Sequence, residues 1–231
     1  MGRILGVTKY RLKESGFAFI LLYGVSLVSA GVFITLAKLG QAPSSNLTAI
    51  SALLIFFLGM LSFSDNFRFM VANGLTRKEY FLGLIFLGVI LSLAISLLDG
   101  ILNQIYAKFW DHVSLFEFLY RDDAFMPDVA WSFTFALLFY SLGLLIRLIC
   151  YSHIKAVKIL ASLSPVLVTG VIMTLFFVKK GELVIKIKGS IFETFGLNAP
   201  GYPLNGAGCL LSLAALALVL AYLLLTQSDI R

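Results

Sequence analysis

The sequence predicts an all-α integral membrane protein with six transmembrane helices, and three observations carry that expectation. Hydrophobic residues make up 60% of the 231 positions and charged residues only 13%, with a mean hydropathy of +0.97. A soluble domain carries roughly twice that charged share, and a chain of this length still exposes a large surface that water would have to solvate. Six apolar stretches then have about the length that a helix needs to cross a hydrocarbon layer of roughly 30 Å. Finally, Lys and Arg are distributed unevenly between the two sets of connecting segments.

Taken in order, Met1–Gly16 is basic and partly amphipathic, with Ile4, Leu5, Val7, Tyr10 and Leu12 expected against lipid as an interfacial helix. The first span is 17–39, beginning at Phe17. It is longer than the apolar part of a signal peptide and lacks a clear cleavage site, so it reads as a permanent helix. The others are 47–63, 80–98, 129–150, 157–178 and 206–225, and together they form a single transmembrane domain. Glycines such as Gly59, Gly88 and Gly143 fall inside these runs, where small residues let helices approach closely. The best such faces are Ser26, Ser29 and Gly31, and Ser162, Ser164 and Gly170. Pro165 should bend the fifth helix, because it removes a backbone donor.

Two longer connections remain. Residues 99–128 interleave aromatic and acidic residues and read in part as a helix lying in the interface. Residues 179–205 hold Leu183–Lys188, where apolar residues and Lys partly alternate, before several Gly and Pro; a short strand or hairpin is expected there. With both termini in the cytoplasm, eleven of the 18 Lys and Arg, including Arg3, Arg11, Arg68, Arg77, Lys78 and Arg147, lie inside. That asymmetry favours the N-in, C-in orientation.

Several kinds of chemistry find no support. Cys150 and Cys209 are too far apart in sequence to suggest a metal pair and read as small packing residues. His112 and His153 fall in loops at opposite faces. No G-x-x-x-x-G-K-[ST] loop is present to cradle a nucleotide. The cytoplasmic pieces are too short for a nucleotide-binding domain. No cofactor and no nucleic-acid partner is expected for this chain, and it is not expected to be an enzyme.

The most informative segment runs from Ser64 to Gly83. Asp65 can cap a short helix; Phe67, Met70 and Val71 give it an apolar face, with Arg68 opposite. Asn73-Gly74 offers the left-handed residue that stops it. Thr76 and Glu79 form a T-x-x-E capping box that starts the third span. This predicts a short helix, a sharp turn and a firmly started transmembrane helix. Such a segment could be an ordinary basic loop, or a lever that docks on a cytoplasmic partner.

The stretch F-x-F-M-x-A-N-G-L-T-R-K-E-Y-F-x-G resembles the loop between the second and third helices of ABC-2-type transporter permeases, in the bacterial exporter and bacteriocin-immunity branch. Gly74, Thr76, Arg77, Lys78, Tyr80 and Phe81 occupy the matching positions of its turn. The motif covers about twenty residues, whereas the layout of a basic N-terminal stretch, six spans and short inner loops covers the chain. The resemblance implies a bacterial cytoplasmic-membrane location and a dimer of permease chains bound to two separately encoded ABC ATPase subunits, which would hold ATP and Mg. Asp65, Phe67, Arg68, Met70, Val71, Asn73, Gly74, Leu75, Thr76, Arg77, Lys78 and Glu79 would form the coupling helix and turn that meet the ATPase, and Met1–Gly16 would be the elbow helix. The chain departs from better-known relatives in lacking a long helical hairpin between its fifth and sixth helices.

Three other functions compete. An ion-coupled secondary transporter would place ionisable groups within the membrane, yet the central parts of the six runs have none. A membrane enzyme would need a constellation of acids, His or activated Ser at one depth; Asp122 and Asp123 are adjacent but read as a solvated loop. A scaffold or regulatory subunit that binds an ATPase without passing cargo stays open. An apolar interior favours hydrophobic or amphipathic cargo such as peptide, lipid or drug.

Overall fold

The computed structural model describes residues 5–13, 16, 20, 24, 28, 47–63, 66–109, 114–121, 124–151, 193–197 and 202–227. Among them every extended element is an α-helix: residues 5–13, α1 (Leu47–Ser62), α2 (Asn66–Ala72), α3 (Arg77–Phe109), α4 (Leu115–Tyr120), α5 (Phe125–Tyr151) and α6 (Pro203–Gln227). Helices α3, α5 and α6 are each long and apolar enough to cross a membrane, and α1 is a shorter apolar helix. The expected span 17–39 falls almost wholly outside the described residues. So do the span 157–178 with its Pro165 bend, the Ser26 and Ser162 faces, His112, His153 and the Leu183–Lys188 strand.

The second half of α3 buries polar side chains along one face and exposes large apolar ones on the others. Ser92, Ser96, Asp99, Asn103 and Tyr106 recur at alternating spacings of four and three residues, which puts them on one helix face. All five are buried, whereas Leu93, Leu97, Leu98, Ile101 and Ile105 on the remaining faces are exposed. Water would favour the reverse arrangement. Lipid solvates an apolar exterior and leaves polar groups to pair inside the bundle. The chain is a membrane-embedded helical protein.

Hydropathy places the end of the third span at Leu98, but α3 continues to Phe109. Its 33 residues span roughly 50 Å, well beyond a hydrocarbon core of about 30 Å. Backbone hydrogen bonding persists wherever nothing interrupts it, and polar side chains do not interrupt it. Gly100, the weakest helix former there, sits beneath Phe125 and Val129 of α5, where an added Cβ would lie 2.9 Å from the Val129 Cγ2. Much of the expected connection 99–128 is thus helix: the tail of α3, then α4, then the start of α5. Ser114 caps α4 by accepting from the Glu117 N–H at 3.1 Å, and Arg121 closes it in the left-handed conformation at φ 55°.

Helix α5 is the hub, packed against α1, α3 and α6. Its contact with α1 is reciprocal: a Cβ at Gly59 would collide with the Tyr140 carbonyl, and one at Gly143 with the Phe56 carbonyl. Small residues here let the two backbones touch. Toward α3, the Tyr140 ring lies over Gly88 and its hydroxyl donates to the Leu84 carbonyl at 2.9 Å. Toward α6, the buried stripe is Gly206, Leu210, Ala214, Ala217, Ala221 and Leu225. At one end of the bundle α4 forms a cap in which Phe116 and Tyr120 pack on Trp131 and Leu210. Burial pushes the Tyr120 phenol above its ordinary value, so it stays protonated and donates to the Phe195 carbonyl at 2.9 Å.

Candidate functional site

The opposite end of the bundle carries the α2–α3 turn, and its local chemistry is as expected. Gly74 has φ 82°, where an L side chain would be strained. Its N–H donates to the Val71 carbonyl at 3.0 Å, and the Leu75 N–H donates to the Met70 carbonyl at 3.2 Å. These paired bonds are a Schellman stop for α2. Two residues on, the Thr76 N–H and hydroxyl both donate to Glu79 Oε2, at 3.0 and 2.9 Å. The Glu79 N–H donates back to Thr76 Oγ1 at 3.2 Å. A capping box therefore starts α3 almost where the Schellman motif ends α2, leaving no slack between them.

The apolar face of α2 is spent within the chain. Phe67 is 1% exposed, with its ring centroid 5.2 Å from Phe63, 5.0 Å from Tyr80 and 6.4 Å from Tyr151. Met70 and Val71 pack half-buried against the same core. What the turn offers outward is Ala72, Asn73, Gly74, Thr76 and Lys78, with Leu75, Arg77 and Glu79 partly covered. Asp65 and the side chain of Arg68 lie outside the described residues.

Three arginines fasten this end, a role that counting them as inside charges did not reveal. Arg147 of α5 donates from Nε to the Phe63 carbonyl at 3.1 Å, just past the end of α1. Arg77 donates from Nη1 to the carbonyls of Thr226 at 2.8 Å and Leu225 at 3.4 Å, in the last turn of α6. Carbonyls in a last helical turn have no intrahelical partner and carry the negative end of the helix dipole, so a guanidinium suits them. Arg11, 2% exposed, donates to the Tyr80 hydroxyl at 3.3 Å. Among the described apolar residues of the N-terminal segment, Leu5, Tyr10 and Leu12 are exposed as expected, whereas Val7 is buried. Val7, Thr8 and Arg11 share one helix face, and the Thr8 hydroxyl donates to the Gly83 carbonyl at 3.1 Å, so this face is held on α3.

A second polar constellation escaped the sequence reading. Asp99 and Asp128 are 1% and 8% exposed. The Ser51 hydroxyl donates to Asp99 Oδ1 at 2.9 Å and the Ser132 hydroxyl to Asp128 Oδ1 at 3.1 Å, while Asn103 faces Asp128. This ties α1, α3 and α5 together toward the α4 end. The signal that could have found it is the alternating four-and-three spacing of Ser92, Ser96, Asp99, Asn103 and Tyr106. Replacing Ser51 with Ala should cost about 1–2 kcal/mol by leaving a buried carboxylate oxygen one donor short. Thermal melting of the detergent-purified chain measures this, and Ser51→Thr, which keeps the hydroxyl, should recover most of it.

Among the described residues no group of three or more His, Cys, Asp and Glu is arranged to hold a metal ion. Cys150 is exposed, Cys209 is half-buried, and both are free thiols. Compared with protein-family models, curated proteins and solved structures, the chain matches none.

Proposed function

We propose that this chain is the membrane permease subunit of an ATP-driven exporter of the ABC-2 type, coupled to a separate ATPase through the α2–α3 turn. In this reading it has six spans, both termini face the cytoplasm of a bacterial cell, and it pairs with a second permease chain. Two ATPase subunits supply ATP and Mg chemistry that the chain itself lacks. The cargo is hydrophobic or amphipathic.

The observation that carries the reading is the α2–α3 turn. A seven-residue helix is stopped by a Schellman motif, followed at once by a capping box, and backed by a packed aromatic core. Such a segment transmits displacement because it has no loose loop in which to absorb it. Its outward surface, Ala72 to Thr76 with Lys78, is small and polar, as suits a transient contact with another subunit.

The test is to express the full chain with whichever ABC ATPase is encoded in an adjoining reading frame. Asn73→Glu and Lys78→Glu alter only exposed side chains. Each is expected to abolish co-purification of the ATPase, or to lower its stimulation at least tenfold, without changing the melting temperature of the chain. Wild-type chain that binds no such ATPase would remove the proposal.

The buried Asp99 and Asp128 favour one alternative, an ion-coupled transporter, because carboxylates inside a helical bundle commonly mark ion paths. Proton- or sodium-driven uptake by vesicles containing the purified chain alone would establish that reading over the first.

A further inference from the structure

The two ends of α6 are held differently. Toward the α4 end, Gly206 receives the Tyr120 phenol in a packed contact. At the other end α6 is held by a guanidinium that belongs to the α2–α3 turn. Arg77 is the first residue of α3, one position past Thr76 of the capping box, and its Nη1 reaches carbonyls 148 and 149 residues away in the chain. Beneath it the Phe81 and Tyr222 rings lie 5.3 Å apart, and Leu225 and Ala221 are fully buried. Apart from this patch, α3 and α6 touch little, since α6 packs chiefly along α5.

We infer that Arg77 is a positioning residue that makes the last turn of α6 move as one body with the α2–α3 turn. The inference deepens the proposed function by naming the helix that the turn would drive, and it rests on that reading only for the purpose of the motion. The physical joint stands without it. The turn cannot flex between Met70 and Glu79, because both of its sides are closed by backbone and side-chain bonds. A rigid turn bonded to α6 by a charge-assisted contact must carry that helix end along, or break the contact. The middle of the buried α6 stripe is small, with Ala214, Ala217 and Ala221 between Leu210 and Leu225. Arg77 thereby differs from its neighbour Lys78, which has the same charge and is exposed.

The joint can be read without any ATPase. The full chain, in lipid nanodiscs, carries Cys150→Ser and Cys209→Ala so that spin labels can be placed at the exposed positions Asn73 and Leu223. Their distance distribution is expected to be single and narrow in this background, and again with Lys78→Gln. Arg77→Gln should split or broaden it, and Arg77→Lys, which retains a donor and the charge, should restore it. Hydrogen exchange at residues 223–227 should quicken about tenfold with Arg77→Gln, the loss expected for one charge-assisted contact, and stay unchanged with Lys78→Gln. A narrow distribution in Arg77→Gln, or equal broadening with Lys78→Gln, overturns the inference. Failure of the adjoining ATPase to bind would instead overturn the exporter reading and leave these measurements untouched. If Arg77→Gln yields too little folded protein, Arg77→Met, which keeps an apolar stem and removes the donors, replaces it in the comparison with Lys78→Gln, with the same broadening and faster exchange expected for Arg77→Met alone.

Discussion

Truncating Phe67 to Ala is expected to destabilise the protein by about 3–5 kcal/mol, the range for emptying a fully buried aromatic site. The ring fills the space between Phe63, Tyr80 and Tyr151, and none of these neighbours can collapse into the gap freely. Tyr80 is held by its contacts with Arg11 and with the Ser62 carbonyl at 3.5 Å, and Phe63 by the Arg147 bond to its backbone. The site lies at the end of the bundle, where α2 joins α1 to α3. Its alternative environment is therefore water or the interface rather than lipid, and the hydrophobic term applies with little discount. Phe67→Leu keeps most of the volume and should cost less than half as much. Thermal melting in detergent and membrane yield measure both. A Phe67→Ala protein that melts like the wild type would mean that the aromatic cluster does not support this end of the bundle.

That expectation changes how the turn must be probed. Read from sequence, Phe67, Met70 and Val71 form an apolar face, and an apolar face on a short surface helix could dock on a partner or on its own chain. Helical spacing does not distinguish the two; only the position of Phe63, Tyr80 and Tyr151 in space does. A loss of activity on truncating Phe67 therefore reports unfolding as much as uncoupling. Asn73 and Lys78, whose side chains are exposed, separate the two effects better than Phe67 does.

The parts legible in the sequence were those fixed by neighbours along the chain. Gly74 as a helix stop and Thr76 with Glu79 as a start depend on residues within a few positions, and the structure has both. The approximate positions of α1, α5 and α6 followed from apolar length. The tail of α3 did not, because hydropathy marks where lipid ends and not where a helix ends. Asp99 and Asp128 fall at the two ends of the expected connection 99–128 for the same reason, although the spacing from Ser92 to Tyr106 already describes a single polar face. The arginine contacts were not legible at all. Arg77, Arg147 and Arg11 each bond a group between 69 and 149 residues distant, and no local pattern says which helix ends will meet.

The backbone-to-backbone contact between α1 and α5 gives the second large effect. Gly59→Ala and Gly143→Ala are each expected to destabilise the chain by about 1–3 kcal/mol through overpacking. Each new methyl would strike main-chain atoms of the facing helix: the Tyr140 carbonyl in one case, the Phe56 carbonyl and the Met60 N in the other. A flexible side chain could turn away, but a helix backbone can yield only by moving as a unit. Within lipid no hydrophobic force reseals the gap, because lipid tails solvate the parted surfaces nearly as well. The cost is lost packing along the whole α1–α5 contact. Gly208→Ala is the internal control: its Cβ would meet nothing within 4 Å, so removing a helical glycine there should be neutral or stabilise by up to about 1 kcal/mol. The double variant discriminates most sharply. Both methyls prop apart the same two helices at neighbouring points, so the displacement forced by the first makes room for the second. Gly59→Ala/Gly143→Ala should therefore cost less than the two single changes added together, with a coupling of roughly 0.5–3 kcal/mol. Strict additivity in denaturant unfolding of the four proteins would show that the two glycines relieve separate contacts, and that α1 and α5 can deform locally instead of parting.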